Sequence, residues 1–140
     1  MEIIINSPDD LDKVVVALLA FANGRKKFLL SANMGSGKTT FVNAFARHKG
    51  VREQTASPTF SLVNEYSYLE NGQPQLMRHL DLYRLRSETE AQDIGIIEYL
   101  DDAHYTFIEW PQIIEPLLNG DEILIRIEQL SELGRRFIFE

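Results

Sequence analysis

The eight residues Ala32-Asn33-Met34-Gly35-Ser36-Gly37-Lys38-Thr39 combine the residue types that hold a phosphate chain. Glycines let successive backbone N–H groups turn toward an anion with no Cβ in the way. Lys38 brings a mobile positive charge for β- and γ-phosphates, and the Thr39 hydroxyl is a magnesium ligand by type. Thr40 follows in the first turn of the helix this segment opens, whose dipole favours an anion at its start. The spacing is that of the phosphate loop, Gly-x4-Gly-Lys-Ser/Thr, with Ala32 in place of the first glycine. Alanine keeps that position small and leaves the phosphate-wrapping part whole. Average composition produces such a pattern by accident in a chain of this length with odds of about one per cent, and the need for a strand before it and a helix after it lowers them further. Met34, Gly35, Ser36, Gly37, Lys38, Thr39 and Thr40 therefore read as the binding site of a nucleoside phosphate.

Turnover needs more: magnesium gripped from the far side, and a group that orients a nucleophile. An acid at the end of a buried strand is the usual supplier. Glu109 ends "YTFIE", and Asp81 ends "LMRHLD" on the same strand face as Met77, His79 and Tyr83 by alternation. Either is a candidate neighbour of the metal, and either is also what an ordinary solvated strand end looks like. In "SPTFS", Thr59 offers a hydroxyl where a γ-phosphate sensor would lie, or a proline-stiffened turn into a strand; the pattern leaves both open.

The elements that must position these groups are legible. "EIII" is a short strand. Ser7 is an N-cap with Pro8 at the first helical position, and Asp9 and Asp10 lie in the first turn. Leu11, Val14, Val15, Leu18, Leu19 and Ala22 then form an amphipathic stripe that Asn23-Gly24 ends. "KKFLLSA" is an apolar strand of the kind buried on both faces of a parallel sheet. After the loop, Phe41, Ala44, Phe45 and His48 share a helical face up to Gly50. Asn71-Gly72 predicts a β-hairpin, and "SETEAQDIGIIEYLDD" predicts helical turns broken near Gly95. "YTFIEW" is a strand, Pro111 opens a short helix through Leu118, and "EILIRIEQL" with "RRFIFE" forms a second hairpin. The expected fold is α/β, a P-loop NTPase-like three-layer domain over residues 1–140, with a mixed, mostly parallel central sheet plus antiparallel hairpins.

The 140 residues carry 14 Lys+Arg and 21 Asp+Glu, a formal charge of −7, and no cysteine. Disulfide scaffolds and thiolate metal sites are thereby excluded. An acidic chain is repelled by a phosphate backbone unless its basic residues cluster, and "GRKK", "RHKG" and "GRR" read as solvated ends of elements. "VVVALLAFA" is too short to span a bilayer and follows aspartates rather than a basic segment, so no membrane anchor or signal peptide is expected and the location is taken as cytoplasmic. His48, His79 and His104 are too scattered to suggest a metal site.

"NMGSGKTT", "SPTFSLVNEY", "HLDLYRL" with "GI" some ten residues on, and "IEWPQ" occur in that order. Together they resemble the TsaE family, the small P-loop ATPases of bacterial tRNA threonylcarbamoyladenosine biosynthesis, over about Ile5 to Gly134. The resemblance implies an ATP- or ADP-binding, magnesium-dependent ATPase, weak by itself, needed for the modification of adenosine 37 in tRNAs reading ANN codons. It implies TsaB and TsaD as partners, with TsaD making the transfer and tRNA met only through the complex. Residue by residue it makes Lys38 the phosphate lysine, Thr39 and Glu109 the magnesium ligands, Asp81 the motif aspartate, and Trp110 the tryptophan beside the acid. It also brings Asp10 and Gly134 toward the nucleotide from the two chain ends.

Two other functions fit a phosphate loop. A small-molecule kinase would need an arginine-bearing lid and an acceptor pocket, and the segment after "YLDD" lacks that lid pattern. A nucleotide-gated binding module would bind without turnover. Adenine specificity rests on the resemblance; no guanine-reading Asn-Lys-x-Asp segment is present.

Overall fold

The run from Lys27 to Ala32 is too apolar to face water and sits at the centre of a sheet. The computed structural model describes residues 1–33, 36–52 and 62–140. Its strands are β1 (Glu2–Ile5), β2 (Lys27–Ala32), β3 (Val63–Glu70), β4 (Gln73–Asp81), β5 (Tyr105–Glu109), β6 (Ile123–Gln129) and β7 (Arg135–Phe139), in the order β1-β7-β6-β2-β5-β4-β3. β6, β2, β5 and β4 run parallel, while β1 and β7 on one side and β3 on the other pair antiparallel. The mixed sheet with a parallel centre and two hairpins is the expected one. Asn71 and Gly72 join β3 to β4 with both φ angles positive, 52° and 77°, as a type I′ turn demands.

Alternation along the strands divides the apolar residues between two layers. Phe28, Leu30, Phe107, Ile125 and Met77 face α1 (Leu11–Ala22) and α2 (Lys38–Lys49). Leu29, Ile108 and Leu80 face the other way, toward α3 (Glu88–Asp93), α4 (Ile96–Asp101) and the 3-10 helix Pro111–Leu117. Of the α1 stripe, Leu11, Val14, Val15, Leu18 and Ala22 are buried and Leu19 is half-buried, and Ser7 Oγ accepts the Asp9 N–H at 3.2 Å at the head of the preceding 3-10 turn.

The buried face of α2 is not the same set as the four residues that share a face by spacing. Phe41, Ala44 and Phe45 are buried together with Val42 and Ala46, but His48 is exposed. The helix lies against both the sheet and α1, which widens its buried face; in its last turn Lys49, not His48, reaches the sheet, with Nζ 4.9 Å over the Tyr105 ring.

The basic clusters are not all solvated either. Lys27 is 6% exposed, its Nζ 2.7 Å from Asp102 Oδ1 and 2.7 Å from the His104 carbonyl. Arg78 joins Asp102 through Nη1 at 2.5 Å and lies 4.4 Å over the Tyr99 ring. Burial pushes the Lys27 ammonium below its ordinary value despite Asp102. Burial likewise opposes ionisation of Asp102, but Lys27, the His104 N–H and Arg78 outweigh it and hold that carboxyl below its ordinary value. This cluster closes the N-terminal ends of the parallel strands, opposite the loop.

Candidate functional site

The phosphate-loop segment lies where the parallel strands end. β2 runs out at Ala32, and α2 starts after Gly37, whose φ of 110° only glycine adopts without strain. Gly37 gives α2 no side-chain cap, and the first turn holds no acidic residue. The start of the helix is thus left positive, with donors that no side chain of its own cap satisfies. Ser36 N–H donates to the Asn33 carbonyl at 3.1 Å, and Ser36 Oγ donates to the same oxygen.

Lys38 points back across the sheet end. Its Nζ lies 3.3 Å from Glu109 Oε1 and 4.8 Å from the centre of the Trp110 ring. Glu109 is 4% exposed, and its other oxygen, Oε2, lies 2.5 Å from Nε2 of His79, which is 1% exposed. Burial pushes the Glu109 carboxyl up, but the His79 ring and the Lys38 ammonium overcome that and hold it below its ordinary value. Facing an ionised carboxylate, Nε2 carries the proton and donates. His79 Nδ1 is buried with no hydrogen-bond partner among the described residues.

Register brings in Asp81. Asp81 and Glu109 are Cα partners on adjacent parallel strands, so their side chains leave the same face next to each other. Asp81 is half-buried and its Oδ1 accepts the Tyr83 N–H at 3.0 Å. The exposed Tyr83 ring lies 5.0 Å from Trp110, centre to centre.

Two hollows flank the loop. A cleft of about 920 Å³ is lined by Asn33, Ser36, Lys38, Trp110, Gln112 and Arg126 among others. On the opposite side, a slot of about 70 Å³ is lined by Pro8, Leu11, Gly37, Thr40, Leu133 and Arg135 among others. The end of β1 and the start of β7 meet at this slot, because their antiparallel register sets Ile5 opposite Arg135.

Lys38, Glu109 and Asp81 come together at the strand ends, with Thr39, half-buried, in the first turn of α2. Ser36 and Gly37 border the slot, and the exposed Thr40 lines it. Asp10 stands between the slot residues Pro8 and Leu11, with its carboxylate 3.4 Å from Lys13 Nζ. Gly134 lines neither hollow; a Cβ there would meet Ser131 Oγ at 2.7 Å, so a side chain at this position would displace the Ser131 hydroxyl that accepts the Gly134 N–H. Met34, Gly35 and Thr59 lie outside the described residues.

Two residues join the site that sequence reasoning passed over. Alternation sets His79 on the face of Asp81, but nothing local to it announces its contact with Glu109, 30 positions away. Arg135, read as part of a solvated basic cluster, donates from Nε to the Ser36 carbonyl at 2.9 Å. Its Nη1 donates to the carbonyls of Ser131, Glu132 and Gly134 at 3.1, 3.2 and 2.9 Å. It thereby ties the turn between β6 and β7 to the loop.

A family model described as threonylcarbamoyl adenosine biosynthesis protein TsaE matches residues 5–137. Proteins named tRNA threonylcarbamoyladenosine biosynthesis protein TsaE are similar to this chain. That of Bacillus subtilis is 30% identical over 133 residues, covering 95% of this chain and 80% of its own. That of Borreliella burgdorferi is 38% identical over 79% of this chain and 77% of its own. That of Aquifex aeolicus is 33% identical over 96% and 92%. A crystal structure of Bacillus subtilis YdiB shares the fold, with a TM-score of 0.74 and 24% identity over 99% of this chain and 83% of that one.

Proposed function

The chain belongs to the TsaE family, a family of tRNA threonylcarbamoyladenosine biosynthesis, and from that premise we propose that it binds ATP with magnesium and hydrolyses it in support of that modification. The observation that carries the reading is the buried assembly of Lys38, Glu109 and His79 at the uncapped start of α2. A helix start without acids attracts an anion, and a buried ionised carboxylate facing it is the partner a phosphate-bound cation needs.

The donors suit the group. Backbone N–H groups at the loop and the Lys38 ammonium would hold the phosphates, and Thr39 with Glu109 would hold magnesium. The slot beside Thr40 has the apolar walls, Pro8, Leu11 and Leu133, that suit a base. The bound nucleotide supplies a phosphoanhydride whose hydrolysis releases energy. The chain's own groups do the rest: Lys38 neutralises phosphate charge, Glu109 presents its carboxylate to the cation, and Asp81, beside Glu109, orients or accepts from the attacking water.

TsaB and TsaD are the proposed partners, and tRNA is reached through them. A net charge of −7 supports that indirect contact, since an acidic surface gains nothing from meeting a polyanion directly. No helix among the described residues is long and apolar enough to cross a membrane.

The test is phosphate release from ATP and magnesium, alone and with a TsaB–TsaD preparation, beside a panel of small acceptors. Release stimulated by the partners is expected. A phosphorylated acceptor would make the protein a kinase, and nucleotide-dependent association without release would make it a gated binding module.

A further inference from the structure

We propose that His79 is the positioning residue for Glu109: it fixes one carboxylate oxygen so that the other is presented at the phosphate site whether or not Lys38 stays beside it. The inference rests on the reading of Glu109 as the acid that meets the phosphate-bound cation.

Glu109 has two side-chain partners among the described residues, one on each oxygen: Lys38 at 3.3 Å on Oε1 and His79 at 2.5 Å on Oε2. They are unequal in permanence. Lys38 sits on the first turn of α2 with a long stem, and any phosphate that enters competes for its ammonium. His79 is 1% exposed in the interior of β4, two positions before the strand end, held by a ladder to β5 in which it pairs with Phe107 and Asp81 pairs with Glu109. A phosphate cannot draw it away. When Lys38 turns to an anion, the Nε2–H donor keeps Oε2 and fixes the carboxylate plane, leaving Oε1 free.

A packing role does not account for the ring. Its face of the sheet is the apolar one of Met77 and Phe107, where leucine or phenylalanine would fill the space with no polar atom to satisfy. The histidine instead carries polar ring nitrogens there: among the described residues Nδ1 is buried without a partner, and the ring atom that is partnered among them is Nε2, its partner Glu109. Groups that orient a metal-binding carboxylate or imidazole this way change metal affinity by about 10–100-fold when removed.

The experiment follows ADP binding, with and without magnesium, through the fluorescence of the single tryptophan, Trp110, which adjoins Glu109. His79→Phe keeps the ring's bulk and removes the donor; His79→Gln can place an N–H near the Nε2 position, and His79→Asn is too short to do so. His79→Phe and His79→Asn should bind ADP in EDTA within about twofold of the parent, but lose about tenfold of the magnesium concentration dependence and of kcat. His79→Gln should recover most of both. A full magnesium response in His79→Phe, or equal behaviour of the Gln and Asn variants, overturns the proposal; the Gln–Asn comparison stands even if the Phe variant fails to fold. Glu109→Gln separates the two levels. If it abolishes the magnesium response while His79→Phe leaves it intact, only the role of His79 falls; if it too leaves the response intact, the reading of Glu109 falls and His79 with it.

Discussion

Lys38 and Glu109 hold each other in the structure, so under the proposed function a nucleotide parts them on entry, and Glu109→Gln measures what that parting costs. The ammonium and the carboxylate are 3.3 Å apart with side chains 10% and 5% exposed. At an effective dielectric of 20, two unit charges at that distance attract by about 5 kcal/mol, much of which is offset by the desolvation both groups have undergone. A charge-assisted hydrogen bond nets about 1.5–3 kcal/mol. Glutamine keeps the shape and an acceptor but removes the charge, so Lys38 is released toward a phosphate at lower cost. In EDTA the variant should therefore bind ADP more tightly by about 1.5 kcal/mol, roughly tenfold, read by calorimetry or by Trp110 fluorescence. With magnesium the order reverses: the parent gains affinity from the cation, the variant does not, and hydrolysis is lost. Asp81→Asn is the control, since it removes the same charge at the neighbouring register position without touching Lys38; its gain in EDTA should be smaller. If Glu109→Gln binds ADP more weakly in EDTA, or if the Asp81 variant gains as much, then Lys38 is not withheld by Glu109 and the resting pair has no bearing on affinity.

Lys38→Ala should lose ADP affinity by about 2–3 kcal/mol with or without magnesium, because a charge-assisted contact to phosphate goes with the ammonium; an equilibrium titration in both buffers checks it. Arg135→Met removes four hydrogen bonds to carbonyls, one of them on Ser36, and should weaken ADP binding by about 1–2 kcal/mol while calorimetric unfolding shows the fold retained. At the far ends of the strands, Asp102→Ala breaks a pair with Lys27 and Arg78 and should destabilise the protein by about 3 kcal/mol in urea without altering ADP affinity in the folded state. Asp102 titrates below its ordinary value in the folded chain, so the stability it contributes is present above the usual carboxylate range and is lost as pH falls through it. Asp102→Asn should accordingly flatten the stability profile on the acid side of about pH 4.

Much of this protein is legible because local rules decide it. The cap at Ser7, the Leu11–Ala22 stripe, the Asn71-Gly72 turn and the apolar strand at Lys27 each follow from a period, cap or turn chemistry local to the residues concerned. Glu109 is recognisable on the same grounds, as an acid at the end of a buried strand.

Contacts between strands far apart in the chain are a different matter. His79 meets Glu109 because β4 and β5 are parallel and in a particular register, and slipping that register by one residue would turn His79 to the opposite layer. Arg135 reaches Ser36 across 99 positions because β6 stands beside β2, which carries the turn after β6 to the loop. Lys27 is charged, and in a sequence it belongs at a surface; the sheet buries it because Asp102 arrives from the segment before β5 to meet it. The helices, the strands, the Asn71-Gly72 turn and the acid closing β5 can be read along the chain, since each depends on neighbours a few residues away. Tertiary structure alone decided which distant groups hold that acid, brace that loop and neutralise that lysine, because pairing and register set distances that no local period encodes.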